Sequence, residues 1–589
     1  MPKDATFLEY TEDIVRNFIN TAVFIDEEAY FPGEEEEEHQ PERKELLAPQ
    51  YGLGSTGHFD MFTPVAHGSD VVEQAEDTAE DVRNTDNIIS HVLNAKNVMD
   101  VFAKNGIICS ILKPEDPNEI TSDLLNSAKK ADVIILDWDL FTKDGSLAKK
   151  IINNIISTDC NQAKRLRLIL IYTAESVPDV FENLTNKEFV TAHPSLKTDD
   201  GEFIVTIDYC KIVIYTKAWS NSSGLTHSVT IEDLPNTIVK EFAQMSAGLL
   251  SNVAIQSVAT IRNNTHQLLA NLKDTYDPAF ITHRVLLEIP DASQDFSEEI
   301  IISEISSLLE SNQVSDIANG DAIQKWIEYK NILESESYPI SIFDNINNTP
   351  VDAVISREGV ISVIDRGLPK AVRAGLSAQK TTSEGSETLK IGEESYGFIS
   401  TLLCQNDPDK AELVNKKFSS LTTVKRFYKD SNHQPFLTLG TIIKEKTEHG
   451  KGKFWLCITP RCDCERIPSD GKEFSFLKLQ PRNEGKSVDI IVEVKENEFS
   501  KFEISYRSHE SKLICFNGEE KSKRAVVEKE DDVYILKAYP KKASVTKYEW
   551  IGELKRDYAQ RIANRYASKI SRIGLDEYEW LRRLSRHTD

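Results

Sequence analysis

Short, almost uninterrupted apolar runs that end on charged or hydroxyl-bearing residues recur through the first 220 residues of this chain. The run VIIL, Val133 to Leu136, breaks into Asp137 and Asp139, and a third acid, Asp144, precedes Gly145. Four apolar residues in a row read as a strand buried on both faces. Carboxylates are costly to bury unpaired. Such a strand has therefore either reached the surface, or its acids hold a cation. What the other strands bring to the same edge decides between these. TAVFI ends on Asp26, Glu27 and Glu28, LILIYT ends on Thr173 shortly before Glu175, and KIVIYT ends on Lys217.

Helical patterns separate these runs. An amphipathic stretch from Asn87 to Lys104 closes at Gly106, and SDLLNSAKKA, SLAKKIINNII and VPDVFENL follow in turn, with the strand IICSIL after the first. A hairpin is expected from EFVTAH to GEFIVTID. Strands alternating with helices predict a parallel sheet covered on both faces. A polar stretch, 31–85, contains the run Glu34 to Glu38 and no clear period, and is expected to be a mobile insertion. In a parallel α/β sheet, functional groups collect at the carboxyl ends of the strands. Here that edge would carry carboxylates from two strands, one hydroxyl and one lysine. Clustered carboxylates repel and call for a divalent cation, and hard oxygen ligands suit Mg²⁺. A lysine and a threonine hydroxyl opposite them can bind an anion. Together these groups describe a phosphoryl-transfer site, where positioning and charge neutralisation carry catalysis.

With those residues in place, the first ~220 residues resemble the receiver domain of two-component response regulators, a flavodoxin-like fold. Asp144-Gly145 follows Asp137 at the spacing seen around that family's phosphorylated aspartate. The resemblance implies a five-stranded parallel sheet of order 2-1-3-4-5. It implies Asp137 as phospho-acceptor, Asp26 and Glu27 as the acidic pair with Glu27 the more direct Mg²⁺ ligand, and Thr173 and Lys217 as the groups that meet the phosphoryl. Asp26, Glu27 and Asp137 would then hold Mg²⁺, while Asp137, Thr173 and Lys217 would carry the chemistry. The family pattern is broken at Ala218, where a proline with a cis bond normally follows the lysine. It is broken again at Phe141, which stands in place of proline, and at Ile214, which replaces the switch aromatic while Tyr215 lies beside it.

Beyond the receiver-like segment, taken as 1–225, a long helix is expected from Pro235 to Lys273. It carries Ile238, Phe242, Met245, Leu249 and Val253 at helical spacing. Such a helix would extend about 57 Å and would pair with another helix, in this chain or in a homodimer. The helical connector is taken as 226–345, linker and helices as 346–430, with 368–396 as linker, and a β-rich C-terminal β-barrel or α+β domain as 431–589 that closes in a helix from about 546. His266 on the long helix reads as an ordinary surface or seam histidine. Cys457, Cys462 and Cys464 have unusual spacing for zinc and read as thiols rather than ligands. This segment loosely resembles an uncharacterised bacterial β-barrel domain with a Thr-Pro-x-Cys-Asp turn, found often in phage-defence settings.

The net charge of −26 argues against non-specific nucleic-acid binding by the whole molecule, although the last helix region is basic. No apolar run reaches the ~18–20 residues that span a bilayer, and the acidic N-terminus is no secretory signal. Eight scattered cysteines suit reduced thiols and a cytoplasmic location. The expectation is a response-regulator-like signalling protein. It would accept phosphate on Asp137 from a histidine kinase or GHKL-type ATPase acting in trans, and relay it to the C-terminal region, with antiphage defence as the setting. The alternatives are a pseudo-receiver scaffold that binds an ATPase partner, and a nucleic-acid-binding effector.

Overall fold

The computed structural model describes residues 5–31, 93–117, 123–142, 144–162, 165–218, 227–287, 290, 293–344, 349–382, 385–426, 434–445, 452–482, 488–495, 497–531, 533–539 and 545–571. Most of the expected insertion at 31–85 lies outside these residues. The chain divides into two compact units. One comprises Met1–Asn263 with Asn312–Ala322, and the other Asn264–Ser311 with Ile323–Asp589.

The first unit is built on one mixed sheet. Strands β1 (Thr21–Ile25), β2 (Ile108–Leu112), β3 (Val133–Leu136), β4 (Arg167–Thr173), β5 (Lys197–Asp199), β6 (Ile204–Ile207), β7 (Cys210–Lys217) and β8 (Ser228–Val229) form it. Their order is β2-β1-β3-β4-β7-β6-β5, with β8 paired to β7. Neighbours from β2 to β7 run parallel, whereas β5 and β6 form an antiparallel hairpin added beside β7. The sheet therefore has eight strands where five were expected, because the hairpin and β8 extend it past β7. EFVTAH is not a strand of that hairpin. Asn186 accepts a hydrogen bond from the Phe189 N–H and starts a short helix, Lys187–Ala192.

Helices cover both faces. Helices α1 (Phe7–Phe18), α2 (Ala95–Lys104) and, later in the chain, α6 (Leu234–Ser246) pack over one face, with Phe24, Phe102, Tyr172 and Phe242 in the core. Helices α3 (Asp123–Lys130), α4 (Ser146–Gln162) and α5 (Val177–Leu184) cover the other, over Ile134, Leu136, Ile169 and Ile171. Strands β3 and β4 are buried along their whole length, which is why they read as unbroken apolar runs rather than alternating ones.

The single long helix does not form. Its sequence makes α6, then Leu249–Asn263 and Thr265–Asn271. Ala247 leaves helical geometry at the first break, next to Gly248, and Asn264 does so at the second; Gly and Asn are weak helix formers. Ile238 and Phe242 are fully buried in the unit's own core. That part of the apolar stripe is buried within the unit, whereas Leu250, Val258 and Leu269 further along are exposed.

In the second unit, the stretch expected as a linker, 368–396, is structured. Strands Ser337–Asp344, Thr349–Ser356, Ser377–Thr382 and Gly385–Lys390 make a four-stranded antiparallel sheet. A further nine-stranded antiparallel sheet spans Thr441–Glu553. Within it, Lys472–Pro481 pairs with both Lys453–Cys457 and Lys512–Phe516, and this closes a ring of six strands. Thr546–Glu553 is the last strand of that ring rather than the start of the closing helix, which runs over Arg556–Ile570.

Candidate functional site

Register brings the strand-end residues together. Ile25 lies opposite Leu136, so Asp26 and Asp137 leave adjacent strands side by side, and the Asp137 N–H donates to the Ile25 carbonyl at 3.0 Å. Thr173 lies opposite Thr216 across β4 and β7, which puts Lys217 one residue further along the same edge. The Lys217 ammonium reaches back across the sheet. Its Nζ donates to Asp137 Oδ2 at 2.7 Å and to Asp26 Oδ2 at 3.2 Å. Asp26, Thr173, Lys217 and Asp137 are all buried, Asp137 with 8% of its surface exposed. Strand VIIL therefore ends at an internal charge cluster and not merely at the surface.

Burial pushes the Asp26 carboxyl up to about 6, and Asp137 adds to the rise while Lys217 opposes it. Burial alone would disfavour the Lys217 ammonium, yet Asp137 and then Asp26 outweigh it and hold the group above the ordinary lysine range. The half-buried Glu27 is also raised, first by burial and further by Glu28, Asp137 and Asp26. The backbone N–H of Phe141 donates to Glu27 Oε2 and opposes that rise. Asp26 Oδ1 accepts from the Glu28 N–H at 2.8 Å, and Thr173 Oγ1 accepts from the Glu175 N–H at 3.2 Å.

Asp144 has a different role. Its Oδ1 accepts from the Ser146 N–H at 3.0 Å at the start of α4, and this contact with the Thr142 and Ser146 side chains holds the exposed carboxyl down at about 2. Gly145 has φ +64°, and a Cβ there would fall within the Trp138 indole. The Asp-Gly pair is thus a turn that lets Trp138 pack beneath α4.

Two contributors escaped sequence reasoning. Tyr172 lies with its ring centroid 6.0 Å from Lys217 Nζ and donates its hydroxyl to the Val229 carbonyl. The Phe141 N–H, a backbone group, leaves no side-chain signal to read. Ile214 is buried, while Tyr215 turns to the other face and donates to Glu241 Oε1 at 2.7 Å. The described peptide bonds are all trans, that of Ala218 included.

Among the described residues, no three His, Cys, Asp or Glu side chains gather as a ready metal cage. Mg²⁺ keeps several waters and is held by one or two carboxylates. The oxygen-only donors Asp26, Glu27 and Asp137, three carboxylates against one ammonium, suit it chemically. Elsewhere, Cys457 and Cys464 are buried while Cys462 is exposed, and the Cys464 thiol donates to the Pro460 carbonyl. His266 is exposed on its short helix. No described helix is long and apolar enough to cross a membrane.

The first unit thus combines a mainly parallel sheet, covered on both faces, with two acids and a lysine paired at its carboxyl edge. Residues 18–222 match the family model of the response receiver domain. This match assigns the N-terminal segment a signalling role of the response-regulator kind. It ends before the second unit and lends no support to the likeness drawn for the C-terminal part. No curated protein and no solved structure gives a significant match to the chain.

Proposed function

We propose that Asp137 accepts a phosphoryl group from a histidine kinase or related ATPase acting in trans, and that the first unit relays the change to the second. The observation that carries this reading is the double contact of Lys217 Nζ with Asp137 Oδ2 and Asp26 Oδ2. An ionised Asp137 oxygen forms the new O–P bond as the donor's N–P or O–P bond breaks, and the electron pair leaves with the donor. Lys217 and the Thr173 hydroxyl are the chain's own partners for the incoming phosphoryl oxygens. Mg²⁺, held by Asp26, Glu27 and Asp137, would supply charge neutralisation at the same oxygens. Antiphage defence as the setting rests on the C-terminal likeness alone.

A second reading, a pseudo-receiver scaffold for an ATPase, is favoured by one feature. Lys217 already pairs with both buried carboxylates, so the cluster has a cation of its own without phosphate or metal. The basic-helix reading gains less. Arg565 stacks on Tyr506, Arg561 on Tyr558, and Arg556 pairs with Glu299, so these cations have partners inside the unit.

Labelled acetyl phosphate with Mg²⁺ separates the first two readings on the full chain. The first expects acid-stable, base-labile label that Asp137→Asn abolishes. Equal labelling of wild type and Asp137→Asn rules it out. If neither is labelled, and Asp137→Asn keeps the protein's cellular function, the scaffold stands.

A further inference from the structure

On the sheet face opposite α1, α2 and α6, helices α3 and α4 border a cleft of about 860 Å³. Lys129 and Lys130 of α3, Lys150 of α4 and Arg165 line it, and the other lining residues are Asn, Ser and Thr. Four cations and no carboxylate meet in a chain with 69 basic and 95 acidic residues. Arg165 is fully engaged. It donates to the carbonyls of Lys129, Lys130 and Ala131 at 2.7 to 3.1 Å and so fixes the end of α3 against β4. The ammonium groups of Lys129, Lys130 and Lys150 form no ion pair among the described residues.

A helix C-terminus favours cations, which accounts for Lys129 and Lys130 on solvation grounds alone. It does not account for Lys150, which lies in the second turn of α4 and not at a helix C-terminus. Cations from two helices thus face one concavity; Arg165 pairs with the buried Asp132 at 3.6 Å, and no acid of the lining faces the three lysines.

We propose that this cleft binds a small solute carrying several phosphates and no aromatic base. The volume falls in the range of small-molecule sites. Its lining offers ammonium groups, amides and hydroxyls, which match phosphate oxygens, and no aromatic or aliphatic residue on which a base could stack. The cleft is wide open to solvent, and its volume rather than any enclosure favours a small solute. The inference does not depend on phosphotransfer at Asp137.

Inorganic triphosphate, titrated calorimetrically into the full chain at low salt without divalent ions, tests it. One saturable site is expected. Lys150→Gln should weaken binding about tenfold, as should the Lys129→Gln, Lys130→Gln double variant, since a hydrogen bond to a charged group is worth about 1.5–3 kcal/mol. Lys150→Arg should retain binding, and so should Asp137→Asn, which places the site away from the acidic edge. No saturable heat, or Lys150→Gln binding like wild type, would overturn the proposal. ATP binding much more tightly than triphosphate would reject the absence of a base subsite. Hexaglutamate binding in preference to triphosphate would replace the solute with an acidic peptide.

Discussion

The backbone N–H of Phe141 donates a hydrogen bond to the carboxylate of Glu27, 114 positions earlier in the chain. Phe141 adopts φ +54°, in the left-handed region. Proline, the residue common at this place in receiver domains, fits neither condition, because it has no N–H and its φ is fixed near −65°. The departure from the family pattern is therefore coupled to the orientation of Glu27.

Phe141→Pro should remove this bond and rotate Glu27. Hydrogen bonds to charged groups contribute about 1.5–3 kcal/mol, so Mg²⁺ affinity should fall about tenfold or more. Phe141→Gly keeps the N–H and tolerates the positive φ, and should bind Mg²⁺ nearly as wild type does. Fluorescence of the buried Trp138, next to Asp137, reports the titration. Equal affinities for both variants would show that the Glu27 contact does not position the cation.

The difference between what the sequence discloses and what it hides lies in the range of the interactions. Asp26, Asp137, Thr173 and Lys217 were legible because a buried strand is a local apolar run and its end is marked by the next polar residue. Parallel register then leaves few ways to arrange those ends. The Phe141 N–H was not legible, since a backbone donor gains its partner only through tertiary structure. The break at Ala247-Gly248 was visible but outweighed by helical periodicity that continues across it. EFVTAH alternates like a strand, and the Asn186 cap that makes it a helix is a single hydrogen bond. The C-terminal strand Thr546–Glu553 was lost to the helix pattern that follows it.

Proton competition at Asp26 gives the site a pH signature. Its carboxyl titrates near 6 in the folded chain, against about 3.9 for an ordinary aspartate. Between those values the folded chain keeps a proton that the unfolded chain has lost. The contribution of this group to stability is therefore present below about pH 4 and is lost as pH rises through about 6. On the proposed reading, Mg²⁺ held by Asp26 would have to displace that proton. A pH indicator should record release of about three-quarters of a proton from Asp26 per Mg²⁺ bound near pH 5.5 and almost none near pH 8, and Asp26→Asn should release less. Release independent of pH would contradict the raised titration.

Lys217 is the single cation between two buried carboxylates. Its replacement by Met leaves both unpaired, and breaking a buried pair from one side costs roughly 3–5 kcal/mol. Lys217→Met should therefore lower the midpoint of the unfolding transition of the first unit, and adding Asp26→Asn should recover part of the loss. Added Mg²⁺ should stabilise Lys217→Met more than it stabilises wild type, because a cation then fills an uncompensated site. If the single and double variants unfold alike, Asp26 and Lys217 are not energetically coupled.

The last strand of the core is tied to α6 by a second buried ion pair. Lys211 Nζ donates to Glu241 Oε2 at 2.6 Å and to Gln244 Oε1 at 3.2 Å, while the Tyr215 hydroxyl donates to Glu241 Oε1. Tyr215 and Lys217 belong to the same strand, so one strand carries both the charge at the acidic edge and the anchor of the helix that leads out of the sheet. Burial, and then the Glu241 carboxylate, hold the Tyr215 hydroxyl above its ordinary range, so it remains a donor through neutral pH. Glu241→Ala should strand the Lys211 ammonium in the core at a cost of roughly 3–5 kcal/mol, whereas the double change Lys211→Met, Glu241→Met should cost less, since it leaves no buried charge. Amide exchange over 234–246 should accelerate strongly in the single variant and only slightly in the double. If exchange in Glu241→Ala rises uniformly across the unit rather than over α6, the pair supports the fold as a whole and is not a local tether between strand and helix.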